Sequence, residues 1–369
     1  MSDRQRVAVV FGGKSGEHEV SLHSAASVIA ALPKDKYEVV LVGIDKAGRW
    51  LLGEDAAALL AGRPVPASAR LVLPADPANG LVAVDPRGGS VSRERVDVFF
   101  PVLHGTFGED GTIQGLFEMA DVPYVGAGVA ASAVGMDKVL MRNLFRQAGL
   151  PVVDAAHYLR RQWRAEPETV LSLVEERFGY PCFVKPANLG SSVGVSKAHN
   201  RSELERALAL AARYDRKLLV EQAVNAREIE CSVLGNDEPI ASVPGEIVPS
   251  REFYDYAAKY IDEGSRLLIP APLDDATAAQ VRALAVRAFQ AVDAAGMGRI
   301  DFFLDRDSGR VYVNEINTIP GFTNISMYPK LWEATGIPYS ELLHRLVQLA
   351  LDRYEDKHAS ATTYEAEGL

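Results

Sequence analysis

GRIDFFLD at residues 298–305 and VYVNEINTIPGFTNIS at 311–326 carry the densest chemistry of the chain, and their reading decides the rest. Both segments alternate as β-strands do. Arg299, Asp301 and Phe303 share one face of the first, and Val313, Glu315 and Asn317 share one face of the second. Asp305 to Gly309 supplies the turn. Pairing Asp305 with Val311 in simple antiparallel register places Asp301 opposite Glu315, with Asn317 two residues further along the same face. Two carboxylates and an amide then converge, which like-charge repulsion disfavours unless a cation sits among them. All-oxygen ligands favour hard Mg²⁺ over zinc, and Mg²⁺ usually keeps substrate phosphates as partners. Arg299 could hold anionic oxygens beside them, and Gly321 could expose its backbone N–H to a reacting oxygen. An ordinary hairpin with solvated acids is the alternative, but here the polar residues alternate with an apolar pattern that expects burial.

A chain of 369 residues can bury a large core and suggests two or three domains. Its net charge of −10 argues against general binding to nucleic acid or to anionic membranes. Cys182 and Cys231 make no disulfide framework and fit a reducing cytosol. No segment has the unbroken apolar length of a membrane helix, and the N-terminus lacks a signal-peptide core. A cytoplasmic protein with neither nucleic acid nor membrane as partner is expected.

Taken in order, RVAVVFGG at 6–13 reads as a buried strand ending in two glycines, followed by a helix start; it lacks the full spacing of a dinucleotide fingerprint. Residues 46–95 are Pro/Gly/Ala-rich with short strands. VDVFFPVLHG at 96–105 delivers His104 to the C-terminal end of a strand, where open α/β sheets bind ligands; a structural histidine is the competing reading. Helical periodicity runs through 129–148, across Lys138. Lys185 ends an apolar strand before the loop GSSVG at 190–194, which offers backbone donors and hydroxyls to phosphates, or is a plain hairpin tip. It is not a Walker A loop, because the lysine precedes the glycines. Glu221 ends one strand and Glu228 begins the next, placed to meet an adenine amine and a ribose hydroxyl or merely solvated. The aromatic, charged stretch 250–264 has the profile of a loop closing over a site. A long helix from Asp274 precedes the hairpin, an amphipathic last helix ends near Tyr354, and the tail from Asp356 should fray.

Together, Lys138, Lys185 with its Gly-Ser loop, Glu221 and the Asp301, Glu315 and Asn317 set resemble the ATP-grasp superfamily. Within it the chain looks like the D-alanine–D-alanine ligases along almost its full length. The resemblance rests on GGKSGEHEVS (12–21), HG (104–105) with GEDGTIQG (108–115), KP (185–186) with GSSVG, FYDYAAKY (253–260), GRID (298–301) and NEINTIPGFT (314–323). It implies an α/β fold of three-domain ATP-grasp architecture. A small doubly wound N-terminal domain (1–126) precedes two α+β domains (127–222 and 223–369) that enclose ATP. It implies ATP-dependent joining of two D-alanines for peptidoglycan precursors through an acyl phosphate, with two Mg²⁺ ions, or Mn²⁺, and a homodimer.

Residue by residue, the resemblance implies that Glu17 holds the first substrate's ammonium with His104 near its carboxylate. Lys138 and Lys185 contact nucleotide phosphates. Glu221 and the following backbone, Gln222 to Val224, read adenine, and Glu228 holds ribose. Asp301, Glu315 and Asn317 hold the metals, and Arg299 with the Gly321 N–H stabilises an oxyanion. Ser191 and Tyr260, linked to Glu17, help the second amine lose its proton. Lys259 assists phosphate and Ser326 binds the second carboxylate. The intact FYDYAAKY loop favours D-alanine as second substrate. The competing readings are a ligase for D-serine or D-lactate and a non-catalytic regulator that binds ATP or D-alanine.

Overall fold

The computed structural model describes residues 4–65, 70–72, 81–84, 91–190, 193–248, 266–323 and 325–361. β1 (Gln5–Gly12) and β2 (Tyr37–Ile44) run parallel, joined through α1 (His18–Ala31). β3 (Trp50–Leu52) returns antiparallel to β2, followed by α2 (Gly53–Leu60). β4 (Arg70–Val72), β5 (Leu81–Val84) and β6 (Val91–Glu94) form a small antiparallel sheet, and β7 (Val98–Val102) then pairs in parallel with β1. The order β3-β2-β1-β7 changes direction at β1. The crevice past the ends of β1 and β7 is therefore the topological switch point, where such sheets take ligands.

The apolar run of β1 follows from cover on both faces. Val7, Val9 and Phe11 pack with Ala25 and Val28 of α1, and with Leu342 and Leu346 near the end of the chain. Ala8 and Val10 pack with Ile113 and Phe117 of α3 (Thr112–Met119). Ser21 pins the glycine turn: its hydroxyl accepts from Gly12 N at 2.8 Å and donates to the Val102 carbonyl.

The helical periodicity of 129–148 is not one helix. α4 (Val129–Met136) stops at Asp137, whose extended backbone and side chain open α5 (Lys138–Gln147). Asp137 Oδ1 accepts from Val139 N at 3.1 Å and Leu140 N at 3.2 Å, capping the new helix, while Oδ2 pairs with Lys217. A second sheet follows, ordered β10-β9-β11-β8, from β8 (Ala155–Leu159), β9 (Cys182–Pro186), β10 (Ser196–Ala198) and β11 (Lys217–Gln222). α6 (Arg160–Ala165), α7 (Pro167–Phe178) and α8 (Arg201–Tyr214) belong to the same segment. Val184, Leu218 and Val220 face the core formed with α7 and α8. The alternate residues Phe183, Lys185, Leu219 and Glu221 therefore share the other face.

The third sheet runs β15-β14-β12-β16-β17, with β13 (Ile240–Ala241) paired to β12 (Ala226–Gly235). β14 (Gly245–Val248) and β15 (Arg266–Leu268) form one edge, while β16 (Gly296–Asp305) and β17 (Val311–Asn317) form the terminal hairpin. α9 (Asp275–Ala291) packs Val281, Leu284 and Phe289 against Ile300, Phe302 and Val313.

The hairpin corrects the simple register. Leu304, not Asp305, stands opposite Val311, and Phe302 stands opposite Val313. One extra residue, Asn314, bulges from β17 before Glu315 meets Asp301. Val313 therefore lies on the buried face with Phe302 and does not share a face with Glu315 and Asn317. α10 (Met327–Ala334) and α11 (Tyr339–His358) end the described chain. The last helix passes the expected fraying point because Lys357 pairs with Glu118 and His358 Nε2 lies 2.9 Å from Asp121 Oδ1. No helix among the described residues is long and apolar enough to cross a membrane.

Candidate active site

A cavity of about 620 Å³ lies between the second and third sheets, a size that holds a nucleotide-sized ligand. Lys138, Lys185, Glu221 and Glu228 line it, with Asp301, Glu315 and Asn317 at the hairpin end. Gln222, the last residue of β11, and Val224, in the link to β12, also line it. Gln222 N already donates to Asp154 O at 3.1 Å, which ties that lining to the start of β8.

On the hairpin, Arg299 lies along the Asp301 carboxylate, Nε to Oδ1 at 2.7 Å and Nη2 to Oδ2 at 2.8 Å, with Glu230 3.0 Å from Nε. Burial works against charge on Arg299, yet Asp301, Glu230 and Glu315 outweigh it and hold the guanidinium pKa well above its ordinary value. Asn317 Nδ2 donates to Asp301 Oδ2 at 3.0 Å, leaving its amide oxygen as the group to meet a cation. Lys138 Nζ stands 3.2 Å from Glu315 Oε2 and donates to Leu189 O at 2.9 Å. Two facing carboxylates and one amide oxygen form a hard, all-oxygen donor set, and that chemistry fits Mg²⁺. Among the described residues no larger acidic, histidine or cysteine cluster could hold a metal.

Lys185 is spoken for by Glu221, whose other oxygen pairs with Arg142. Glu221 and Arg142 are each 2 % exposed. Burial raises the Glu221 pKa, but Arg142 and Lys185 overcome it and keep the carboxyl below its usual range. Arg142 also reaches Val153 O at 3.3 Å and Asn314 Oδ1 at 3.4 Å, so it joins the second sheet to the bulge beside Glu315. Its Nε has no hydrogen-bond partner. Sequence reasoning missed Arg142. The available signal was a charged residue at a stripe position of α5, between Val139 and Phe145.

At the switch point, Glu17 precedes α1 and its carboxylate lies against Gly105 and Gly190. Gly105 has φ +71°, which favours glycine, and a Cβ there would also push the Glu17 carboxylate aside. His104 is buried. Its Nδ1 lies 3.0 Å from Ile319 O, which can only accept, and its Nε2 lies 3.0 Å from Ser24 Oγ. The neutral ring thus carries its proton on Nδ1 and accepts from Ser24 on Nε2, and burial, against the attraction of Glu17, lowers its pKa. Both ring nitrogens are engaged within the protein.

Glu109, from the GEDG loop, is a second residue whose role the sequence alone does not mark. It lines the cavity, and its Oε2 accepts from Gly105 N at 2.7 Å and its Oε1 from Ile319 N at 3.2 Å. Burial, reinforced by Glu17, pushes its carboxyl up to about 8. Past Ile319, a Cβ on Gly321 would lie 2.7 Å from Ser326 Oγ. Ser326 Oγ itself accepts from Thr323 N at 3.0 Å and lies 2.8 Å from Thr323 Oγ1, just ahead of α10. Ser191, Lys259 and Tyr260, and with them the 250–264 loop, lie outside the described residues.

Comparison with known proteins places the chain in a family. Residues 6–127 match the family model "D-ala D-ala ligase N-terminus" and residues 144–348 match "D-ala D-ala ligase C-terminus". The chain is 58% identical over 362 residues to the D-alanine–D-alanine ligase of Heliobacterium modesticaldum, covering 97% of this chain and 98% of that one. It is 47% identical over 369 residues to that of Geobacillus thermodenitrificans, covering 98% and 100%. Among solved structures it is similar to the D-alanine-D-alanine ligase from Coxiella burnetii, with TM-score 0.84, 37% identity and 97% of each chain covered. It is also similar to the VanG D-Ala:D-Ser ligase from Enterococcus faecalis, with TM-score 0.84 and 34% identity over 94% of this chain and 100% of that one. With both family models matched across a switch-point crevice, a nucleotide-sized cavity and an acid-paired hairpin, the chain belongs to the D-alanine–D-alanine ligase family, of the ATP-grasp fold.

Proposed function

We propose that this chain joins two D-alanines into D-alanyl-D-alanine with conversion of ATP to ADP and phosphate, as a step of peptidoglycan precursor synthesis. The observation that carries the reading is the facing pair Asp301 and Glu315, braced by Arg299 and Lys138 at one end of the cavity. In the first step a carboxylate oxygen of the first D-alanine forms a bond to the γ-phosphorus, the bond to the β-phosphate oxygen breaks, and ADP leaves. In the second, the amine of the other D-alanine bonds to the acyl carbon, loses a proton, and phosphate departs.

Lys138 and Lys185 are held beside the cavity by acids, Glu315 and Glu221, so arriving phosphates exchange one anionic partner for another. Arg142 keeps Glu221 paired when Lys185 turns to phosphate. The backbone of 222–224 reads adenine and Glu228 the ribose. Asp301, Glu315 and Asn317 are the residues that would hold Mg²⁺, two ions or Mn²⁺ in their place, whose charge offsets that of the phosphoryl oxygens. Glu17 receives the first ammonium, Arg299 and the Gly321 N–H face the oxyanion, and Ser326 meets the second carboxylate at the start of α10. His104 serves the first carboxylate's side of the crevice through the turn it holds. Ser191, Lys259 and Tyr260 complete the site in proton removal and phosphate contact. We further infer a cytoplasmic homodimer, and domains at 1–126, 127–222 and 223–369; the separate sheets formed in turn along the chain support the division into domains.

Mg²⁺-dependent phosphate release from ATP with product identification tests the reading, using D-alanine alone and then with D-serine or D-lactate. D-Alanyl-D-alanine with one phosphate per dipeptide is the expected result. ATP binding without D-alanine-dependent release would replace it with a regulator, and a mixed product would redirect the second-substrate assignment.

A further inference from the structure

The turn that presents Gly321 makes few decisions for itself. Ile319 N donates to Glu109 Oε1 at 3.2 Å, and Ile319 O accepts from His104 Nδ1 at 3.0 Å. On the far side, Phe322 N reaches Ser24 Oγ at 3.4 Å, and Phe322 O accepts from Tyr339 at 2.8 Å. Pro320 has no N–H to contribute. Every backbone polar group of Ile319 and Phe322 is thus taken by a side chain from a distant part of the chain. Two of those side chains, His104 and Glu109, come from the one loop after β7, and Glu109 is fastened to that loop by Gly105 N at 2.7 Å. The loop borders the crevice with Glu17, so the wall of the first-substrate site and the turn after the hairpin are one hydrogen-bonded unit.

We propose that Glu109, with His104, is a positioning residue that grips the Ile319 peptide from both sides and so sets where the Gly321 N–H meets the oxyanion of the second step. The proposal rests on the ligase reading above. A backbone donor pays off only when it is already in place as charge develops, and misplacement by about 1 Å costs roughly 10²-fold in rate. The Ile319 peptide has no partner on its own strand, because β17 ends at Asn317. With the Ile319 side chain packed in the core, its N–H and C=O are held by these two side chains. Neither of them has to touch substrate to matter.

The test compares wild type with Glu109→Ala and Glu109→Gln, measuring dipeptide formation, KM for ATP and D-alanine, and D-alanine-dependent positional isotope exchange in ATP, which reports the first step alone. Glu109→Ala should lower kcat for dipeptide by roughly 10²-fold while KM for ATP stays within about two-fold and isotope exchange continues. Glu109→Gln keeps the volume and one acceptor oxygen, so it should fold and fall between the two. A parallel pair separates grip from packing: His104→Asn can keep a donor where Nδ1 stood and should retain more dipeptide activity than His104→Gln, which cannot. The proposal is overturned if folded Glu109 variants make dipeptide at the wild-type rate, or if exchange and dipeptide formation fall together. Absence of D-alanine-dependent turnover in wild type would remove the ligase reading itself, a separate result.

Discussion

Asp301 stands opposite Glu315 while its neighbour Phe302 stands opposite Val313, so Asn314 is surplus on the returning strand. The bulge lets Val313 face α9 and Glu315, two residues later, face the cavity, which strict alternation forbids. The resulting pair of acids is balanced by Arg299 and Lys138 until a cation arrives. Glu315→Gln should therefore abolish Mg²⁺-dependent phosphate release, by at least about 10²-fold, and remove the rise in melting temperature that Mg²⁺ with a non-hydrolysable ATP analogue gives wild type. Stability without ligand should move by only about 0.5 kcal/mol, because one repulsive contact and one ion pair disappear together. Wild-type phosphate release from this variant would sink the metal assignment.

Arg142→Leu leaves Glu221 buried with Lys185 as its remaining cationic partner and strands Val153 O. Breaking a buried ion pair from one side typically costs about 3–5 kcal/mol, so the denaturation midpoint should fall steeply. Arg142→Lys, which keeps charge but not the fork, should recover part of it. The nucleotide affinity of the folded fraction should also drop, since Lys185 can no longer leave Glu221 without stranding its charge. An unchanged midpoint would show that the Arg142 contacts contribute nothing net.

The hairpin, the glycine turn and the strand ends carrying His104, Lys185 and Glu221 were legible because periodicity and punctuation mark them directly. Simple alternation hides the bulge, although it leaves a trace: Val313 and Ile316 both point inward with two polar residues between them, one too many for alternation. The break at Asp137 is hidden because the apolar spacing of 129–148 continues through it, although an aspartate, a poor interior helix former and a good N-cap, is a trace of it. Arg142 and Glu109 act through partners far away in sequence, Glu221 and Ile319, and no local pattern names such a partner.

Glu109 gives the molecule a pH signature with a definite sign. Its carboxyl rises from 4.5 in an open chain to about 8 in the fold, through burial and Glu17, against Arg299 and two backbone donors. A raised folded pKa means stability that is fully present below the unfolded value and lost as pH climbs through the folded one. Wild type should therefore lose stability relative to Glu109→Gln between pH 4.5 and about 8, and the difference should level off above that. Chemical denaturation of both proteins at matched pH values measures it, with His104, Glu17 and Arg299 common to both. A pH-independent difference would place the Glu109 charge outside the cavity's influence.

Asp137 does two jobs that substitution can separate. One oxygen caps α5 through Val139 N and Leu140 N, and the other pairs with Lys217. Lys138 begins α5, its N–H bonded to Ala187 O at 3.0 Å and its Nζ placed between Leu189 O and Glu315. The cap thus decides where a phosphate-facing lysine starts. Asp137→Asn retains a capping oxygen and loses the ion pair, whereas Asp137→Ala loses both. The alanine variant should be destabilised by about 1 kcal/mol more than the asparagine variant, the usual worth of an N-cap. If the break exists to aim Lys138, KM for ATP should rise in Asp137→Ala and stay near wild type in Asp137→Asn, even though both have lost Lys217. Equal KM values in the two variants would mean that the Ala187 contact alone fixes Lys138 and that the cap serves stability only.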